Sequence, residues 1–97
     1  MSWMEQKAKR NKRYQTIYKM LEERYKTERC NGKENFRYND CWFRLFEFPG
    51  RYALCIEYAN NKEEAELNVY EDGDLFYLDE LEEEKMFQAM IKEIEDD

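Results

Sequence analysis

Two runs rich in aromatic and β-branched residues flank the only proline of the chain, between residues 41 and 59. The first run reads Cys-Trp-Phe-Arg-Leu-Phe-Glu-Phe and the second Arg-Tyr-Ala-Leu-Cys-Ile-Glu-Tyr-Ala, with Pro49-Gly50 between them. Proline presets φ at the first corner of a type II turn, and glycine supplies the positive φ required at the second. The stretch therefore predicts a β-hairpin around which the rest of the chain has to be arranged.

The alternation of side chains within this hairpin predicts its register and its inner face. If Phe48 lies opposite Arg51, the large aliphatic residues of both strands fall on one side of the sheet. The inner-face pairs are then Leu45 with Leu54, Phe43 with Ile56, and Cys41 with Tyr58.

Two further turns are predicted after the hairpin, at Asn60-Asn61 and at Asp72-Gly73, because Asn, Asp and Gly tolerate left-handed φ. Folding the chain at both turns brings the following apolar residues to the same inner face: Ala65, Leu67, Val69, Phe76 and Leu78. The sequence thus predicts a four-stranded antiparallel β-meander.

A helical pattern precedes the meander. Ser2 and Glu5 fit a capping box, and apolar residues recur downstream at helical spacing up to Tyr25. Asn31-Gly32 would supply the left-handed residue that ends this helix near Cys30. We expect residues 1–13 to form a basic helical extension that projects from the domain.

A second helical pattern follows the meander. Asp79 and Glu82 fit another capping box, and an apolar stripe comes after it, at Leu81, Phe87, Met90, Ile91 and Ile94. The predicted fold is α+β, a single domain over residues 1–97, with the order α-β-β-β-β-α and both helices packed on one face of the sheet.

Catalytic and metal chemistry finds little support in the composition. The chain has no histidine, which is the commonest general base and metal ligand, and one serine, which lies at a helix cap. Its three cysteines show no Cys-x-x-Cys spacing, so we expect reduced, buried thiols. We predict no catalytic residues, no metal, no cofactor and no enzymatic activity.

Charge is distributed unevenly along the chain. Nine basic and four acidic residues precede residue 30, giving +5, whereas seven basic and nineteen acidic residues follow, giving −12. The basic candidates are Lys7, Lys9, Arg10, Lys12 and Arg13. The acidic candidates for binding a partner are Glu64, Glu66, Glu71, Asp72, Asp74, Asp79, Glu82 and Glu83. Because the net charge is −7, we expect no strong direct binding to nucleic acid.

The outer face of the predicted sheet keeps large aromatic residues where a solvated sheet carries polar ones. Trp42, Phe46 and Tyr77 are the candidates for contact with a partner, because partner-binding surfaces favour aromatic side chains. A structural explanation is equally open, in which the helical extension or a second chain covers this face.

The function predicted from these features is non-enzymatic binding. We expect a small acidic inhibitor that occupies a basic, nucleic-acid-binding surface of a partner protein. In size, charge and element order the chain resembles the small acidic inhibitors of phages and mobile elements, including anti-CRISPR proteins, without a shared motif. The resemblance implies the cytoplasm of a bacterium or a phage-infected host cell.

Two other functions remain open at the level of the sequence. One is a nucleic-acid-contacting accessory factor that uses the basic helix. The other is a homodimer or immunity-type partner formed through the aromatic sheet face. We expect no membrane association, because no apolar run approaches the ~20 residues that a membrane span requires.

Overall fold

The computed structural model describes residues 1–96, which form three helices and one antiparallel sheet of five strands. The elements in chain order are α1 (Trp3–Arg24), β1 (Lys26–Cys30), β2 (Lys33–Tyr38), β3 (Cys41–Glu47), β4 (Ala53–Ala59), α2 (Lys62–Glu66), β5 (Asp72–Tyr77) and α3 (Glu83–Glu95). The strands lie in the order β1-β2-β3-β4-β5, so each pairs with its neighbours in sequence. The predicted α+β meander is confirmed, with five strands instead of four.

The main apolar core lies between the sheet and two helices, α1 and α3, that pack on the same face. Ile17 and Leu21 of α1, and Met86 and Met90 of α3, have no exposed surface. Removing such side chains from water is the dominant favourable term in folding. The sheet residues that meet them are Phe36, Phe43, Leu45, Leu54, Ile56 and Phe76.

The first helix ends earlier than the sequence pattern predicts. It ends at Arg24, and residues 26–38 form a hairpin that was predicted partly as helix. Asn31 and Gly32 have φ of 53° and 73°, which makes them the two central residues of a type I′ turn between β1 and β2. The same Asn-Gly pair suits a helix cap and a hairpin, and here the pairing of two strands decides between them.

The Pro49-Gly50 turn is confirmed, but the pairing of its two strands is shifted. The Arg51 amide donates to the Phe48 carbonyl oxygen at 3.3 Å, and Gly50 has φ of 75°, as a type II turn requires. Leu45 pairs with Ile56 and not with Leu54. A shift of two residues preserves both faces of a strand, so the predicted inner residues still face the core.

Residues 60–71 were predicted as a turn and a strand, and this prediction is wrong. Asn61 caps the short helix α2, and its side-chain oxygen accepts from the Glu64 amide at 2.8 Å. Leu67 and Val69 are exposed and do not face the core. Lys62–Glu66 contains good helix formers behind an Asn-x-x-Glu capping box, which explains why a helix forms.

The last strand, β5, pairs directly with β4, because the segment predicted as a strand between them is the helix α2. Asp72-Gly73, predicted as a turn, starts β5, and Phe76 lies opposite Leu54. Helix α3 then begins at Glu83 with Glu82 as its N-cap, and not after Asp79. No helix within residues 1–96 is long and apolar enough to span a bilayer.

Candidate protein-interaction surface

Arg10, one of the predicted basic surface residues, is buried and holds the loop between β3 and β4. Its Nη1 donates to the carbonyl oxygens of Phe48 at 2.7 Å and Arg51 at 2.8 Å, and its Nε donates to Glu47 at 3.0 Å. The side chain is 7% exposed. This corrects the expectation that residues 1–13 project as one basic extension, because the helix is packed against the sheet at Arg10.

Arg13 is also engaged within the fold. Its Nη1 donates to the Leu81 carbonyl oxygen at 2.9 Å, just before α3. Lys9, Lys12 and Arg13 line a shallow groove of about 200 Å³ together with Glu83, so cations of α1 and a carboxylate of α3 face each other. Lys7, Lys9 and Lys12 remain exposed. The basic set predicted for nucleic acid is therefore reduced to three lysines.

Trp42, predicted as an exposed contact residue, is buried beneath α2. It shares a small apolar cluster on the outer face of the sheet with Cys30, Ala59 and Ala65. Its indole N–H donates to Glu28 at 2.9 Å. This corrects the expectation for Trp42: a segment of the same chain covers its part of the outer face.

An ion pair helps to hold α2 in this position. Lys62 of α2 lies 2.7 Å from the carboxylate of Glu28 on β1. The hydrogen bond from Lys62, followed by that from Trp42, holds the pKa of Glu28 below its usual value. Charge and apolar contact thus act together to keep α2 on the sheet.

The other half of the outer face is apolar, with Ala53 and Cys55 buried at its middle and Phe46, Phe48 and Tyr77 half-buried around them. Two rows of residues cross it, Phe46–Cys55–Leu75 and Phe48–Ala53–Tyr77, as the strand register shows. Small residues of β4 lie in the middle, and Leu75 at the side is 41% exposed. We call the four large residues Phe46, Phe48, Leu75 and Tyr77 the outer patch. Phe46 and Tyr77, predicted as contact residues, belong to it.

Four of the predicted acidic residues lie on α2 and in the segment that leads from it into β5. Glu64 and Glu71 both bind Asn60, whose backbone N–H donates to Glu64 at 3.0 Å and whose side-chain amide donates to Glu71 at 3.2 Å. Asp72 follows Glu71 directly, and Glu66 lies on the last turn of α2. We call Glu64, Glu66, Glu71 and Asp72 the acidic corner.

The remaining predicted carboxylates lie elsewhere. Asp74 is on the inner side of β5, where it accepts a hydrogen bond from the Tyr58 hydroxyl at 3.0 Å. Burial and this bond raise the pKa of Tyr58 well above its usual value. Asp79, Glu82 and Glu83 lie beyond the opposite end of β5, and Glu83 lines the groove with the lysines of α1. The predicted acidic set therefore divides into the acidic corner, Asp74 alone, and the three residues after β5, of which Glu83 lies by the basic segment.

The three cysteines are free thiols in the described structure. Burial raises the pKa of the Cys55 thiol to about 11, and it also raises the pKa values of Cys30 and Cys41. Thiols of this kind are poor nucleophiles, because the thiolate is the reactive form. Among residues 1–96, no group of three or more Cys, Asp or Glu is placed to hold a metal ion.

Two features of this surface were missed at the level of the sequence. Asn60 was interpreted as part of a turn and not as the residue that joins two carboxylates. Leu75 was placed on the outer face but not among the contact residues. At 41% exposure it is the most exposed residue of the outer patch. The capping box at Asn61 was the signal that would have located the acidic corner.

Comparison of the chain with protein-family models, with curated proteins and with solved structures finds no match. The surface itself is consequently what indicates a function. Its two parts are the acidic corner and the outer patch, which are linked by β5: the strand begins at Asp72 and carries Leu75 and Tyr77.

Proposed function

We propose that this protein is a non-enzymatic binding protein that occupies a basic surface of a partner protein. The observation that carries the proposal is the acidic corner, whose four carboxylates precede or begin the strand that carries Leu75 and Tyr77 of the outer patch. Lys62, the basic residue nearest in sequence, lies 2.7 Å from Glu28 and 4.0 Å from Glu66. One cation shared between two carboxylates leaves the corner with a net negative charge.

The charge of this region favours rapid association with a cationic surface. Residues 57–84 contain twelve acidic residues and one basic residue. Complementary potentials of this kind steer diffusional encounter and raise association rates, an effect that salt screens over about 8–10 Å. We expect the partner's binding surface to carry clustered lysine and arginine.

The outer patch supplies contact energy that charge alone rarely provides. Aromatic residues that are desolvated in a complex account for much of the binding energy at protein interfaces. Phe46 of the patch lies on β3, and Leu75 and Tyr77 lie on the edge strand β5, so the patch reaches the free side of the sheet. The proposed interface is an apolar centre with an acidic rim on one side.

The finer part of the proposal concerns what the partner does. A protein surface with clustered cations commonly holds the phosphates of a nucleic acid. Carboxylates that occupy such a surface compete with the phosphates and inhibit the partner. We propose an inhibitor of this type, comparable to those of phages and mobile elements, acting in the cytoplasm.

The test begins with the partner captured by the tagged protein from cells that encode it. Association is then measured at low salt with the variant Glu66→Lys/Glu71→Lys, in which two carboxylates of the acidic corner are reversed. We expect the association rate to fall about tenfold or more, with little difference at high salt.

The matched control is Glu22→Lys/Glu23→Lys, which makes the same charge change on the exposed side of α1. The proposal requires this control to associate close to the wild-type rate. Equal slowing in both variants would mean that only the net charge matters. An unchanged rate in the corner variant would mean that the acidic corner is not the contact surface.

A further inference from the structure

Among residues 1–96, β5 is an edge strand with no strand paired to its outer side. Its partner in the sheet is β4, and the Leu78 amide continues that pairing by donating to the Tyr52 carbonyl oxygen at 3.1 Å. Backbone groups of successive residues point to alternate sides of an antiparallel strand. Since the backbone of Leu78 points toward β4, the N–H groups of Gly73, Leu75 and Tyr77 point away from it.

The free run of this edge has a defined end. The Tyr77 carbonyl oxygen accepts from the amides of Glu80 and Leu81, each at 3.2 Å, so the turn after β5 uses it. The carbonyl oxygens of Gly73 and Leu75 and the three amides before this turn are left open within residues 1–96. An added strand of about five residues would pair with them.

The side chains of β5 specify what kind of strand would fit. Leu75 and Tyr77 lie on the outer face, and Asp72 and Asp74 lie on the other face. Cross-strand neighbours are favourable when apolar residues meet apolar residues and when opposite charges meet. The strand that complements this edge therefore alternates apolar residues with lysine or arginine.

We propose that β5 binds an extended segment of the partner by strand addition, with basic residues beside Asp72 and Asp74 and apolar residues beside Leu75 and Tyr77. Main-chain hydrogen bonds give affinity in this mode, and alternate side chains give specificity. The inference rests on the proposed function, because it names the element of the partner that the acidic surface receives.

A second copy of this chain fits the edge less well. Its own free edge is β1, in which Lys26 and Glu28 share the outer face with Cys30. Pairing that strand with β5 would place charged side chains against Leu75 and Tyr77. The acidic residues on β5 also repel a second β5 edge, which is a common protection against aggregation.

The direct test uses a blocked hexapeptide that alternates lysine and valine, added to the ¹⁵N-labelled full chain. We expect chemical-shift changes and slower amide exchange at Gly73, Leu75 and Tyr77. The outward-facing amides of β1, at Thr27 and Arg29, serve as an internal comparison and should not change. Equal changes at both edges, or none at β5, would overturn the proposal.

Two pairs of variants make the test specific. Leu75→Pro removes an outward amide, which an edge strand tolerates, and should reduce peptide affinity at least tenfold. Thr27→Pro does the same on the β1 edge and should leave the affinity unchanged. Asp72→Lys should weaken binding of the lysine–valine peptide and strengthen binding of a glutamate–valine peptide. Asp79→Lys, which lies off the strand, should change neither affinity.

The outcomes separate the two proposals. If Glu66→Lys/Glu71→Lys slows association with the partner but the peptide does not bind at β5, strand addition is wrong and the proposed function stands. If Leu75→Pro unfolds the chain, Asp72→Lys still tests strand addition, because strand addition requires this variant to prefer the glutamate–valine peptide. If the wild-type chain forms oligomers and Thr27→Pro dissociates them, the β5 edge binds a second copy of the chain, which would contradict this proposal.

Discussion

At the scale of single residues, one buried guanidinium joins α1 to the loop that connects β3 and β4. Arg10 contacts two carbonyl oxygens and one carboxylate, and Trp3 covers it, with the guanidinium carbon 5.4 Å from the ring centroid. Hydrogen bonds that involve a charged group contribute about 1.5–3 kcal/mol each when they are removed singly. Arg10 therefore acts as a structural residue and not as part of a cationic surface.

The substitution Arg10→Ala tests this role. We expect it to lower the free energy of unfolding by about 2–3 kcal/mol, because Glu47 and two carbonyl groups lose their partner. Lys7→Ala, which changes an exposed residue on the same helix, should change it by less than about 0.5 kcal/mol. Urea unfolding followed by circular dichroism gives both values, and equal effects would contradict the assignment.

At the scale of elements, α2 is a cover over one half of the outer sheet face. It contributes Ala65 to the cluster around Trp42, which is separate from the main core beneath the other face. The helix has five residues, too few to be stable by itself in water. Its position depends on its contacts with the sheet, including the pair between Lys62 and Glu28.

Ala65→Asp should detach this cover. An aspartate at a site that is 1% exposed places an unpaired charge beside the indole of Trp42. In a Trp3→Phe background, where Trp42 is the remaining tryptophan, we expect the fluorescence to shift to longer wavelength while the far-ultraviolet circular dichroism stays close to native. Ala8→Asp, on an exposed part of α1, should leave the emission unchanged.

At the scale of the whole molecule, the ends of α1 and α3 are joined by a charged contact. The Nε of Arg24 lies 2.8 Å from Glu95, and the Tyr25 hydroxyl donates to the same carboxylate. The bond from Arg24, followed by that from Tyr25, holds the pKa of Glu95 below its ordinary value. A carboxyl group with a lowered pKa in the folded state stabilises that state when it is ionised.

Glu95→Gln should therefore lower Tm at neutral pH and lose this effect in acid. The contribution is present above the unfolded pKa of about 4.5 and disappears as the pH falls through the lower folded value. Thermal unfolding at pH 7 and near pH 2.5 measures the gap between variant and wild type. Glu93→Gln, with the same change of charge, is the control, and a gap that stays constant with pH would contradict the prediction.

The sequence by itself determined the fold class and the two faces of the central strands. Alternation with a period of two is unaffected by a register shift of two residues, so Leu45, Leu54 and Ile56 were assigned to the core although their pairing was not. The apolar stripe of α3 was predicted for the same reason, since Phe87, Met90 and Ile94 recur at helical spacing.

Only the tertiary structure decided where local signals were ambiguous and which polar residues are exposed. Asn31-Gly32 suits a helix cap as well as a hairpin turn, and the choice depended on the pairing of β1 with β2. Arg10 looked like a surface cation because its carbonyl partners lie 38 and 41 residues away in sequence. Trp42 is buried because α2, a segment predicted as a strand, packs over it. Long-range contacts of this kind have no local period, so only the folded chain shows them.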